Sequence, residues 1–440
     1  MKNIMTKVLL LAGLLLFISD GCVTAQNQAK VITLEQAIKM AVTNHPLIKE
    51  ARSLVAIAKA KTAEENSAFY PTAAVNLVYT RISPVPFIKL PFPGGGEFHM
   101  APANNYNGSL GVQYLIYDFK RRKDLVKLLQ SNEVTEEEKI NVIKNQLAYQ
   151  TAEIYYTLVY LQKSVGVLNK QIKDLKVHLE VAKKMVATGA AIGLDTLNTK
   201  VRVITLENQK QSLYNQWQKT AVVLKSLMNI PAKTKVKIKG NFPVIPAKYS
   251  VDSLVQTAFH QREELKLNHL VNRTLNIQKQ IISKSMLPIL RFQGEAGLKN
   301  GYPDNLNKLK PNFAAGITAT IPIFNGYLRR SKLLTANMQI ESLHEENNVL
   351  KHNIRTSVHT SLLDYENNLI QIKSALAEMN LAKAALKQAK GLYRSGSITN
   401  TTLLDNETAV SAAKMKYITD LFKITLSHLK LLQATGQRIW

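Results

Sequence analysis

The stretch KRRKDLVKLLQSNEVTEEEKINVIKNQLAYQTAEIYYTLVYLQKSVGVLNKQIKDLKVHLEVAKKMVA, Lys120 to Ala187, runs for 68 residues without a proline and with one glycine, Gly166. At a rise of about 1.5 Å per residue, an unbroken helix of this length would reach roughly 100 Å, well beyond the helices of globular domains. Apolar side chains recur at Ile140, Ile143, Leu147, Ile154, Leu158, Leu161, Val165, Leu168, Ile172, Leu175, Leu179, Ala182 and Val186, in steps alternating between three and four, with Thr151 in the one polar slot. A repeat of about 3.5 residues imposes left-handed supercoiling against a neighbouring helix. The pattern predicts a long strut laid along other helices.

The strut has a twin. Tyr327 to Arg394 repeats it, with a looser seam at Leu350, Ile354, Val358, Ile372, Met379 and Leu386. An offset of 207 residues places Leu110–Asp118 on Ile317–Asn325, Gly189 on Gly396, Leu197 on Leu404 and Asn229 on Gly436. Upstream, Tyr70-Pro71 falls on Leu287-Pro288 at an offset of 217, the register change lying in a loop that can absorb it. Internal repeats fix architecture before any local reading does. The chain divides into a leader over 1–25, a first copy over 26–229, a linker over 230–250 carrying Pro231, Gly240, Pro243 and Pro246, and a second copy over 251–436. Each copy reads helix, strand, loop, strand, long helix, tight turn, helix. The flanking helices, Leu34–Phe69 and Asp195–Met228, have 36 and 34 residues, so two of them end to end match one long helix. Val251–Met286 and Thr402–Thr435 do the same in the second copy.

The strands alternate with period two. Tyr106, Gly108, Leu110, Val112, Tyr114 and Ile116 form one face against Asn107, Ser109, Gly111 and Gln113. Phe313, Ala315, Ile317, Ala319, Ile321 and Ile323 repeat it against Asn312, Gly316, Thr318 and Thr320. The partner strands set Val75, Leu77 and Tyr79 against Asn76, and Leu290 and Phe292 against Arg291, Gln293 and Glu295. An oily face and a wet face over about ten residues suit a membrane barrel strand; a soluble half-buried sheet alternates in the same way. Long loops join the two strands of each copy, Arg81–Asn105 with Gly94-Gly95-Gly96, and Leu298–Pro311. In lipid, four strands neither close a barrel nor tolerate open edges, so copies of the chain must complete the ring.

Lys2 and Lys7, the apolar run Val8–Ile18 and the small-residue site Val23-Thr24-Ala25 read as a secretory signal. Cys22 is the only cysteine, so the processed chain has no disulfide or thiolate chemistry; Gly21-Cys22 is also a possible lipoprotein site, which Ser19 and Asp20 fit poorly. No later apolar run is long enough for a transmembrane helix. The net charge of +26 raises nucleic-acid binding, but the lysines spread from Lys30 to Lys430 without one dense cluster, as on solvated helix faces.

Leu34-Glu35-Gln36-Ala37 opens the first helix and Arg262-Glu263-Glu264-Leu265 stands near the start of the second copy; Tyr70-Pro71 and Leu287-Pro288 precede the first strands and Pro322-Ile323-Phe324-Asn325-Gly326 ends the last. In this order, at a near-constant offset, the chain resembles the TolC-like outer-membrane efflux family over nearly all of its processed length. It departs at Glu263, where the family usually has proline, and in the first copy at Leu115 and Phe119, which stand for the proline and glycine of the second. The resemblance implies a mostly helical homotrimer with a 12-stranded β-barrel in outer-membrane lipid above a long periplasmic α-helical barrel. It implies a passive exit duct and not an enzyme, with no cofactor or metal. It also implies docking to a periplasmic adaptor and an inner-membrane pump of RND, ABC or MFS type, with a type I protein-secretion duct as the alternative.

For sites, the resemblance points to the periplasmic tip. By that resemblance the turns Thr188-Gly189-Ala190 and Ser395-Gly396-Ser397 are where an adaptor is met; plain turn chemistry is the other reading of the glycines. Asp405 takes the place of a pore-lining aspartate and Asp195 that of another carboxylate, while Tyr393 matches a gating tyrosine. Thr402 stands where a second pore aspartate is expected and Ile398 where a gating arginine is. A ring of carboxylates would attract cations; carboxylates near helix N-termini complement the backbone dipole without any pore. His45, His178, His260, His269, His344, His352, His359 and His428 are scattered and read as surface residues, Glu136-Glu137-Glu138 as a solvated face, and Gly94-Gly95-Gly96 lacks the lysine and helix of a phosphate loop. A soluble periplasmic coiled-coil scaffold would use the same helices without the oily strand faces.

Overall fold

A computed structural model describes residues 30–89, 91–189, 192–243 and 248–440. The leader, Cys22, Ala190 and Pro246 lie outside the described residues. Each long stretch is one unbroken helix of 67 residues: α3 (Arg121–Ala187) and α7 (Leu328–Arg394). Each turns back into a 35-residue helix, α4 (Gly193–Leu227) and α8 (Asn400–Ala434). α3 packs along α4 and α7 along α8, and the two pairs meet through α3 and α8. The expected seam is the buried one: Leu147, Leu158, Leu161, Leu168, Ile172, Leu175 and Ala182 are all at most 6 % exposed, with Thr151 fully buried in its slot.

The first helix of each copy is broken in two, which the sequence reading ran through. The first copy has α1 (Leu34–Asn44) and α2 (Pro46–Ser67); the second has α5 (Val251–Gln261) and α6 (Glu263–Ser283). Proline disfavours helical backbone in the residue before it, and His45 is extended at φ −60° and ψ 138° while its Nδ1 accepts from the Leu47 amide at 3.2 Å. Arg262 adopts the same geometry, φ −63° and ψ 120°, with no proline after it. There Arg262 bonds Glu264 from Nε at 2.9 Å and from Nη2 at 3.1 Å, and buried Glu263 takes Arg438 and Lys266. Charge holds the break where proline is absent.

In each copy the end of the last helix closes on that break. Asn229, at φ +53°, donates from Nδ2 to the Asn44 carbonyl at 3.1 Å. Its counterpart Gly436, at φ +72°, sits so close that an added Cβ would lie 2.9 Å from the Arg262 nitrogen.

Two short parallel strands, β1 (Lys30–Ile32) and β6 (Val236–Ile238), form a layer on α1 and α3 that the sequence reading did not foresee. Tyr155 of α3 pins them, donating to the Lys239 carbonyl at 2.7 Å and within 3.1 Å of the Ile32 carbonyl. A small hairpin, β3 (Phe87–Lys89) with β4 (Glu97–His99), lies within the first long loop.

The remaining strands, β2 (Thr72–Arg81), β5 (Asn104–Tyr117), β7 (Ile289–Lys299) and β8 (Lys310–Thr320), make one antiparallel sheet in the order β2-β5-β7-β8. β5 and β7 join the two copies at its centre. The entry into both long helices is left-handed over two residues: Phe119 and Lys120 at φ +56° and +65°, Gly326 and Tyr327 at +64° and +63°. Phe119 therefore takes glycine's conformation, with its ring edge-on to Tyr117 at 4.9 Å.

Candidate functional site

Two regions carry unusual chemistry, the sheet and the far tip of the helices. Register lines up the sheet's faces across all four strands. Val75, Leu110, Ala296 and Phe313 form one apolar row, and Tyr114, Phe292 and Ile317 another. The opposite face carries Asn76, Ser109, Gly297 and Asn312 in one row, with Gln113 beside Gln293 and Arg291 beside Thr318. The oily face is open: Leu77 is 82 % exposed and Phe313 84 %. Among the described residues, outer strands β2 and β8 each have one unpaired edge. Such edges and such a face belong against other strands and lipid, because an unpaired backbone group in lipid costs several kcal/mol.

At the tip, Gly189 and Gly396 both take the left-handed conformation, φ +74° and +73°. At the second turn the Ser397 amide reaches back to the Leu392 carbonyl at 2.8 Å and the Gly396 amide to Tyr393 at 3.1 Å, the paired bonds that end a helix at glycine. Thr188, Gly189, Ser395, Gly396 and Ser397 are exposed. Thr402 serves the start of α8: its amide donates to Thr399 Oγ1 at 3.2 Å.

Tyr393 and Asp195 come together. Burial pushes the Tyr393 hydroxyl up, and the Asp195 carboxylate adds to the shift; the hydroxyl itself lies 3.5 Å from Met185 Sδ. Asp405 is elsewhere engaged. Arg202 of α4 reaches across to it from Nη2 at 2.8 Å and holds Thr408 Oγ1 from Nη1 at 2.9 Å. Beneath, His178 Nε2 lies 2.5 Å from Asn400 Oδ1, both side chains buried, and its ring contacts Tyr393 at 5.6 Å.

Residues 37–229 and 254–437 match the family described as outer membrane efflux protein. The chain belongs to that family. It is a family of channels, so this member is not an enzyme, and its place is the outer membrane. The chain is 20 % identical over 280 residues to the pyoverdine export outer membrane protein OpmQ of Pseudomonas putida, a match over 62 % of this chain and 58 % of that relative. It shares its fold with the outer membrane protein VceC of Vibrio cholerae, at 15 % identity and a TM-score of 0.74, covering 92 % of this chain and 97 % of that one. The CmeC outer membrane channel of Campylobacter jejuni superposes equally, at 15 % identity and a TM-score of 0.74, over 92 % and 85 %.

Within this outer membrane efflux protein, three sequence expectations need correction. His178 is no surface residue but part of the buried contact between α3 and α8, while His45 keeps a surface position and caps α2 from it. Glu138 does not belong to a solvated face. It is half-buried beside Glu263, and burial first, then that neighbour, raise its carboxyl above the usual range. The lysines do cluster: Lys233, Lys235, Lys237 and Lys239 stand together in and around β6.

Arg202 and Asn400 went unread, although the repeat carries a hint. Arg202 falls on Ala409 and Asp405 on Asn198 at the 207 offset, so the charged pair is written across two copies and in neither alone.

Proposed function

We propose that the chain is one subunit of a homotrimeric outer-membrane duct, through which a tripartite system passes its cargo without input of energy at this component. The observation that carries this is the open four-stranded sheet, one face oily and exposed, mounted on helices roughly 100 Å long. Three copies give twelve strands and close the cylinder that one chain leaves open.

The helices support the same closure. α4 exposes Leu194, Leu197, Val201 and Ile204, spaced three, four and three apart. α7 exposes Val349, Leu363 and Ile370 at multiples of seven. Among the described residues these coiled-coil seams have no partner in their own chain, one on each pair of helices, as a head-to-tail ring requires.

The tip turns are the docking points for a periplasmic adaptor that joins the duct to an inner-membrane pump, and Asp405 and Asp195, with Tyr393 and Thr402, line or steady the mouth. The pump supplies the energy and, with the adaptor, most of the choice of cargo. Export of pyoverdine by the OpmQ relative favours small-molecule efflux over polypeptide secretion.

Membrane fractionation, heat-modifiable migration and planar-bilayer recording test the reading together. The expected result is an outer-membrane, heat-dissociable oligomer with discrete conductance steps. A detergent-free soluble monomer would overturn it and restore the coiled-coil scaffold.

A further inference from the structure

Between Glu207 and Asp252 the chain has no acidic residue and eight lysines. Four of these, Lys233, Lys235, Lys237 and Lys239, fall at every second position through β6. A strand sends alternate side chains to opposite faces, and β6 shows it: Val236 and Ile238 are buried against α3 while Lys235, Lys237 and Lys239 are exposed, and Lys233, in the turn before the strand, is exposed as well. Residues two apart on a strand have their Cα atoms only about 7 Å apart, less than a Debye length. None of the four forms an ion pair among the described residues, unlike lysines such as Lys59, Lys176 and Lys416 on the helices. The backbone at the end of the row is tied to α3, because Tyr155 bonds the Lys239 carbonyl and Gly240 sits 3.1 Å, measured from a notional Cβ, from Tyr155 and Val159.

Position narrows the partner. Tyr155 and Val159 lie some 35 residues down α3 from its start at Arg121, so the lysine row stands roughly 50 Å from the membrane end of the helix. That is far outside the reach of lipid headgroups and inside the periplasmic space. The surface around the row also speaks against a protein. Interface centres are rich in aromatic and apolar anchors and poor in lysine, whereas among the described residues from Lys225 to Met286 no large apolar side chain is exposed, and the strand paired with the row adds only Val31, the β1 partner of Lys237. A flat row of long, mobile cations suits a flexible polymer bearing carboxylates at regular intervals. In the periplasm that chemistry belongs to the peptide-bearing glycan of the cell wall.

We propose that the Lys233–Lys239 row is a cell-wall contact, holding the duct where it crosses the peptidoglycan by ion pairs to the polymer's peptide carboxylates. A ring of three chains would carry three such rows. The contact concerns anchoring, so it stands or falls separately from the mouth and its cargo.

The test is co-sedimentation of the detergent-solubilised full chain with purified sacculi. The wild-type protein should pellet at low ionic strength and be released by salt. A variant with all four lysines changed to serine should lose about tenfold in apparent affinity, from four exposed ion pairs of modest individual strength. The variant carrying Lys→Arg at the same four positions should bind as wild type, which separates lost charge from lost fold. Sacculi whose carboxyls have been converted to neutral amides should release the wild-type protein. The proposal is overturned if the serine variant pellets like wild type, if amidated sacculi bind undiminished, or if the serine variant loses capture of a periplasmic adaptor while sacculus binding is unchanged.

Discussion

Arg202 and Asp405 are bonded across the boundary between the two helical pairs, Nη2 to Oδ1 at 2.8 Å, one residue from each copy of the repeat. The carboxylate expected to line the mouth is thus partly neutralised by the other pair of helices, and the same guanidinium holds Thr408. Both partners are substantially exposed, so the bond contributes little to overall stability, less than about 1 kcal/mol. Its effect is on which helices move together.

Arg202→Leu should therefore raise single-channel conductance and strengthen block by divalent cations, because it frees both the helix pair and the Asp405 charge. Asp405→Asn should raise conductance and weaken cation block. Single-channel recording in planar bilayers distinguishes the two; identical block in wild type and Asp405→Asn would remove Asp405 from the pore.

The Glu138–Glu263 pair sets a pH dependence of known sign. For Glu263, burial favours the neutral form, but hydrogen bonds with Glu138, Arg438 and Lys266 outweigh it and hold the carboxyl at about 2. An unfolded glutamate titrates at about 4.3, so the stability that Glu263 contributes is present above that value and lost as pH falls towards 2. Glu138 is shifted upward, so its contribution runs the other way, present at low pH and lost as pH rises. Glu263→Gln should cost about 1–3 kcal/mol at pH 7, the deficit vanishing near pH 2. Glu138→Gln should be neutral or stabilising at pH 7. Urea unfolding across pH 2–7 reads both.

The two helix breaks should respond differently to equivalent changes. Gly436→Ala places a Cβ 2.9 Å from the Arg262 nitrogen, on a backbone at φ +72°, and should cost about 1–3 kcal/mol. Asn229→Gly keeps the left-handed turn and loses one hydrogen bond to Asn44, at a cost of about 1 kcal/mol or less. Thermal dissociation of the oligomer ranks them; equal losses would contradict the close-packing account of Gly436.

Adjacent residues of β8 separate the two faces of the sheet. Ile317→Arg puts a charge on the oily face and should cost about 2–4 kcal/mol near the bilayer centre, preventing assembly. Thr318→Arg, on the polar face, should assemble normally and shift the channel towards anions. Heat-modifiable migration scores assembly and reversal potential scores selectivity.

What could be read in the chain follows from periodicity. The 67-residue helices, the glycine turns and the sheet's two faces each repeat a simple period many times, and the duplication shows each one twice. Single events escaped. The break at Arg262 carries no proline, and the strand pair β1–β6 rests on three residues from each side. The bonds Arg202–Asp405 and His178–Asn400 join residues more than 200 positions apart, which no local pattern records.

Cross-linking between the free sheet edges tests the central claim most directly. Within one chain β2 and β8 are separated by two strands, roughly 14 Å, too far for a disulfide. With Cys22 replaced by serine, Asn76→Cys on β2 should be paired in turn with single cysteines walked along residues 310–320 of β8. At some register, oxidation in the outer membrane should link separate chains into a ladder that stops at three. Absence of inter-chain bonds at every register, or a ladder that runs on past three, would contradict a cylinder closed by three copies.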